Sequence, residues 1–92
     1  MQFDWDDANI LHLARHGITP GEAEEAIRNG SVILESQTVN GEQRLTEVGE
    51  TAIGRTITLI TVDRDGQIRA ITGWDATRFE RLAYLEAISD WS

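Results

Sequence analysis

Apolar residues in the first third of the chain recur three and four positions apart; after Gly30 they alternate. Ile10, Leu11, Leu13 and Ala14 carry the first helical pattern. They predict a helix over residues 5–15, with Trp5 in its first turn and Asp4 or Asp6 as its cap. His16-Gly17 ends it, because glycine accepts the left-handed cap conformation and histidine suits a helix C-terminus. Thr19-Pro20-Gly21-Glu22 starts a second helix, with proline at the first helical position and Thr19/Glu22 as a capping box. Ala23, Ala26 and Ile27 form its inward face, Ile18 is placed to staple against Ala23, and Asn29-Gly30 stops it.

The strand-like half begins with Val32-Ile33-Leu34 inside a strand over 31–35. Asn40-Gly41 is a hairpin signal, followed by a strand over 44–48 and a loop over 49–54. The most β-branched run, 56–62, reads as the central strand, and Asp65-Gly66 turns it into a strand over 67–72. A break at Gly73 is expected, holding Trp74, and then a helix over 77–88 capped by Thr77 and Glu80. Phe79, Leu82, Ala83 and Leu85 would turn that helix toward the sheet, and residues 90–92 would fray. Residues 1–3 add a short edge strand. The expected fold is α+β: two N-terminal helices, a small antiparallel sheet of about four strands and a C-terminal helix, in one domain over 1–92.

Composition narrows the function classes. No apolar run approaches the roughly 18 residues of a membrane span, so no membrane association is expected. The first residues show neither the basic region nor the apolar core of a secretory signal. Cysteine is absent, which removes thiolate chemistry and points to a reducing, cytoplasmic setting. The net charge is −8, and all eight cations are arginine. The stretch 55–81 carries five arginines against four acids, so an acidic molecule holds one arginine-bearing third. Such a surface repels RNA at long range and attracts a basic protein. A homodimer stays open.

Candidate chemistry is sparse. His12 and His16 stand four apart on one helix, a metal-binding spacing, yet no third ligand lies at a recognisable offset. Asp4, Asp6 and Asp7 are better read as helix-start acids than as a cation site. There is no nucleophile motif, phosphate-cradling glycine loop or dinucleotide fingerprint, so no metal or cofactor is expected. What remains is Arg44, Arg69, Arg78 and Arg81, which can hold a phosphate and stabilise charge during phosphodiester cleavage. Surface ion pairs with the surplus acids explain the same residues more simply. Cleavage also needs a base and an acid, and His12, His16 and Glu80 are the candidates. Trp74 is expected in the core, with a base-stacking platform as the alternative.

Several motifs together resemble the BrnT family. Phe3-Asp4-Trp5-Asp6, Ala14-Arg15-His16-Gly17-Ile18-Thr19-Pro20 and Glu22-Ala23-Glu24-Glu25-Ala26 are similar to its opening. Glu42-Gln43-Arg44, Ile68-Arg69-Ala70-Ile71-Thr72, Thr77-Arg78-Phe79-Glu80-Arg81 and Tyr84 are similar to its later motifs, in the same order. The resemblance implies a RelE-like ribonuclease toxin of a bacterial type II toxin–antitoxin pair, arresting translation and neutralised by an antitoxin with a basic DNA-binding region. It implies Arg44, Arg69 and His16 near the catalytic site, with Arg78, Arg81 and Trp74 as substrate-binding candidates. The chain departs from the family where Gly73-Trp74 replaces Ala-Arg, where Asn9 replaces a lysine, and in its acidity. Those departures set a second expectation, a protein-interaction module that kept the fold without catalysis.

Overall fold

A computed structural model describes residues 1–89. The expectation that residues 90–92 fray lies outside the described residues. Asp6 caps the first helix, α1 (Asp7–Ala14), in a reciprocal box: Asn9 N–H donates to Asp6 at 3.1 Å and Asp6 N–H donates to Asn9 Oδ1 at 2.8 Å. Trp5 therefore precedes the helix instead of opening its first turn. Thr19 and Glu22 close the second box, at α2 (Pro20–Arg28). Between them the chain turns at Gly17, whose φ of +69° is the left-handed cap conformation.

The strands are β1 (Gln2–Phe3), β2 (Val32–Val39), β3 (Glu42–Glu50), β4 (Thr56–Arg64) and β5 (Gln67–Asp75); α3 (Arg78–Ser89) follows. They form one sheet in the order β1-β5-β4-β3-β2, with β4 at its centre. β1 pairs with β5 in parallel and the other neighbours are antiparallel. The sheet is thus five-stranded and mixed, not four-stranded and antiparallel. A two-residue strand carries no readable period, and its direction is set by a distant partner. Asn40-Gly41 and Asp65-Gly66 all have positive φ, as tight two-residue hairpins require.

Alternation along the strands gives the sheet two unlike faces. On one, Ile57, Leu59 and Ala70 pack with Leu13, Ile18, Ala23, Ala26 and Ile27 of the N-terminal helices. Two strand glycines admit those helices. A Cβ at Gly49 would stand 2.2 Å from the Ala26 carbonyl oxygen, and one at Gly73 would stand 2.7 Å from Leu59 Cδ2 and 3.1 Å from Leu13 Cδ2. Gly73 is therefore no break: β5 runs on through it to Asp75, and the side chain is absent because α1 lies there.

α3 crosses the opposite face. Its inward positions are Glu80, Ala83, Tyr84 and Ala87, at helical spacing, and Tyr84 is buried. Phe79, Leu82 and Leu85 point outward, with Phe79 78% exposed, against the expectation that they face the sheet. The cause is the cap: Glu80 accepts from Thr77 N–H, from Trp74 Nε1 and from Thr58 Oγ1, which fixes the helix's rotation. No helix of the described residues is long and apolar enough to cross a membrane.

Candidate functional site

Arg44, Val62 and Arg69 stand opposite one another on β3, β4 and β5. They share the face that α3 crosses, and the two arginines are two strand spacings apart, about 10 Å between Cα atoms. Thr46, Ile60 and Thr72 form the next row, and Val48, Thr58 and Trp74 the one after. β2 sets Gln37 beside Arg44.

The two arginines differ in what they touch. Arg69 forks onto Asp6, with Nη1 at 2.9 Å from Oδ2 and Nη2 at 3.1 Å from Oδ1, and Nη1 also reaches Asp4 Oδ2 at 3.5 Å. The fork holds the Asp6 carboxyl below the usual range and raises the Arg69 guanidinium further. Asn9 braces this corner, donating to the carbonyls of Asp4 at 2.9 Å and Ala70 at 3.2 Å. That role explains an amide at this helix position. Arg44 has no such partner. Among the described residues it makes no ion pair, and its buried Nε has no hydrogen-bond acceptor. Its charge helps depress Glu42, whose main cause is the hydrogen bond from Arg64.

The remaining candidates are spread more widely. Arg78 and Arg81 are exposed on α3 and make no ion pair among the described residues. Trp74 is half-buried on the arginine face, its indole N–H donating to Glu80 at 3.0 Å. Glu80 is desolvated, which raises its pKa, but the bonds from Thr77, Trp74 and Thr58 outweigh burial and lower it overall. A carboxylate engaged that way is a cap, not a free acid. His16 is elsewhere: it follows α1 on the other side of the sheet, exposed, its ring stacked on His12 at 6.3 Å. The structure sets Arg44 and Arg69 in one row and Trp74 two rows away on the same face, and leaves His16 apart.

Two residues carry more than the sequence suggested. Arg55 ties the far corner together, donating to Asp75 at 2.8 Å, Glu22 at 2.9 Å and the Gly17 carbonyl at 2.8 Å. Only the Glu22 box hinted at an anchored carboxylate there. Glu47, on β3, is 7% exposed and lines a cleft of about 680 Å³ on the face opposite Arg44. Its position in an alternating strand was the only signal. Among the described residues no group of three or more His, Asp or Glu side chains is placed to hold a metal ion.

A family model described as "Ribonuclease toxin, BrnT, of type II toxin-antitoxin system" matches residues 5–80. No curated protein and no solved structure matches the chain.

Proposed function

The chain belongs to the BrnT family of ribonuclease toxins from type II toxin–antitoxin systems, and on that footing we propose that it cleaves RNA on the arginine face of its sheet and so arrests translation in the cytoplasm. Membership implies an antitoxin partner; the acidic surface suits one with a basic DNA-binding region. The observation that carries the reading is Arg44: a partly buried arginine that makes no ion pair among the described residues, on a face it shares with Arg69. A partly desolvated guanidinium with no ion-pair partner gains from a ligand that supplies the counter-charge. A phosphodiester does. As a ribose 2′-oxygen bonds to phosphorus and the bond to the 5′-oxygen breaks, charge builds on the non-bridging oxygens, and Arg44 is placed to stabilise it. Arg69, held by Asp6 and Asp4, orients the backbone more than it supplies free charge. Arg78, Arg81 and Trp74 extend the surface for neighbouring nucleotides, Trp74 by stacking. We place the proton transfers on solvent, with His16 reserved for a substrate that reaches around the sheet edge. No metal is needed in this scheme, because the guanidinium supplies the positive charge.

The test is purified protein against total RNA in chelator, beside Arg44→Ala. Cleavage by the parent and a loss of about 100-fold in the variant are expected. Absence of cleavage, with no growth arrest on expression, would overturn the proposal.

A second reading is a non-catalytic interaction module. The fork from Arg69 to Asp6 favours it, since that cation is already neutralised within the chain. It predicts an inert protein that still binds a basic partner with an affinity that falls as salt rises.

A further inference from the structure

The two N-terminal helices leave one end of their sheet face bare. Beyond the last turn of α2 the strands continue to their hairpin turns, and a cleft of about 680 Å³ opens there. Ile27, Leu45 and Ile68 supply apolar walls. Its lining includes Met1 and the acids Glu47 and Asp63, with Glu42 at the rim, its side chain turned by alternation to the face of Arg44; among the described residues no arginine lines it. Glu42 is already paired with Arg64 at 3.1 Å. Among the described residues Asp63 accepts the turn N–H of Gly66, at 3.0 Å, and makes no ion pair.

Glu47 is the exceptional group. It is 7% exposed, and its two oxygens accept hydroxyl bonds, from Ser31 at 2.5 Å and from Thr61. Among the described residues it makes no ion pair. Buried carboxylates are ordinarily paired with a cation, and this one uses about half of its capacity to accept hydrogen bonds. The C-terminal end of α2, at Ile27 and Gly30, lines the same cleft and adds the partial negative charge of its last carbonyls.

We propose that this cleft seats an arginine side chain on a short apolar peptide segment of a partner protein. The guanidinium would reach Glu47, its stem would lie along Leu45 and Ile68, and flanking apolar residues would fill the walls. The net charge of −8 favours a basic protein segment over nucleic acid. The inference rests on the reading that the chain has an antitoxin partner. The site is on the opposite face from Arg44, so binding here leaves the proposed cleavage surface open.

The test uses the full chain and a labelled, capped pentapeptide with arginine between pairs of leucines, beside the same peptide with neutral citrulline. The arginine peptide should bind, shifting the backbone amide signals of Leu45, Glu47 and Thr61. Glu47→Gln, and equally the citrulline peptide, should cost roughly 30-fold in affinity. Asp63→Asn, on the exposed rim, should cost about 3-fold and serves if Glu47→Gln does not fold. The proposal fails if arginine and citrulline peptides bind alike, if nothing binds at about 1 mM, or if the shifts gather around Arg44. It also fails if free spermidine displaces the peptide as well as unlabelled peptide does, since the cleft would then be a small-cation site. RNA cleavage by the Glu47→Gln protein should equal that of the parent, so failure here and failure of the ribonuclease reading are separate results.

Discussion

Arg69 and Arg44 were equally visible in the sequence as candidate phosphate ligands, yet their surroundings make them opposites. What decides between them is a pair of carboxylates from the other end of the chain. Asp4 and Asp6 reach Arg69 because β1 runs alongside β5, with Asp4 N–H donating to the Ile68 carbonyl at 2.8 Å. No local pattern announces such a pairing, so the sequence showed two arginines of which, among the described residues, one is clasped and the other makes no ion pair. The clasp can be opened selectively. Asp6 is both the partner of Arg69 and the cap of α1, and asparagine caps a helix about as well as aspartate. Asp6→Asn should therefore keep the helix while freeing half of the fork. If the arginine face binds RNA, this variant should bind a short single-stranded RNA about 3- to 10-fold more tightly than the parent in low salt. Fluorescence anisotropy would read it, and an unchanged or weaker affinity would mean that Arg69 does not take part.

Helix α2 was legible nearly to the residue, and α1 to within two residues at its start, because their starts and stops are written in local chemistry. Capping boxes, a proline and glycines fix them, and each signal lies within a few positions of the element it controls. The hairpins were legible for the same reason. Gly73-Trp74 was misread because a glycine that ends a strand and a glycine that lets a helix approach look identical in one dimension. α3 was misread because its rotation is set by Glu80 reaching Trp74 and Thr58, contacts that the apolar periodicity does not contain. The sheet glycines give a graded test of this packing. At Gly49 an added Cβ meets the Ala26 carbonyl at 2.2 Å, a backbone atom that cannot move alone. At Gly73 the closest obstacle is a leucine methyl at 2.7 Å, which can rotate, with the Thr58 carbonyl at 3.0 Å. Gly49→Ala should cost about 3 kcal/mol or more and Gly73→Ala about 1–2 kcal/mol. Urea denaturation of both variants checks the order, and equal costs would mean that α2 can move away from β3 to admit the methyl group.

If the chain cleaves RNA as proposed, its net charge of −8 poses a problem that the arginine face alone does not solve. Two electrostatic effects oppose each other, and they act over different distances. The repulsion between the whole molecule and the RNA backbone is long-ranged. The attraction between Arg44 and one phosphate is short-ranged and acts in a partly desolvated setting. At about 0.01 M salt the screening length is roughly 30 Å, well beyond the 12.6 Å radius of gyration, so every acid on the surface is felt. At about 0.1 M it is roughly 10 Å, and the RNA responds mainly to the face it touches. Added salt should therefore help encounter before it weakens contact. The expected profile of kcat/KM for RNA cleavage rises between about 0.01 and 0.1 M salt and falls again toward 1 M. A basic nuclease would show only the fall, because its long-range field and its contacts have the same sign. Initial rates across a salt series, at fixed pH and limiting RNA, distinguish the two shapes. A profile that falls from the lowest salt would show that the arginines on this face outweigh the acidic remainder even at a distance. The rising limb should also steepen when Arg44 is kept and Arg78 and Arg81 are both changed to glutamine. That change takes two cations from the outer surface, makes the net charge −10, and leaves the short-range contact in place.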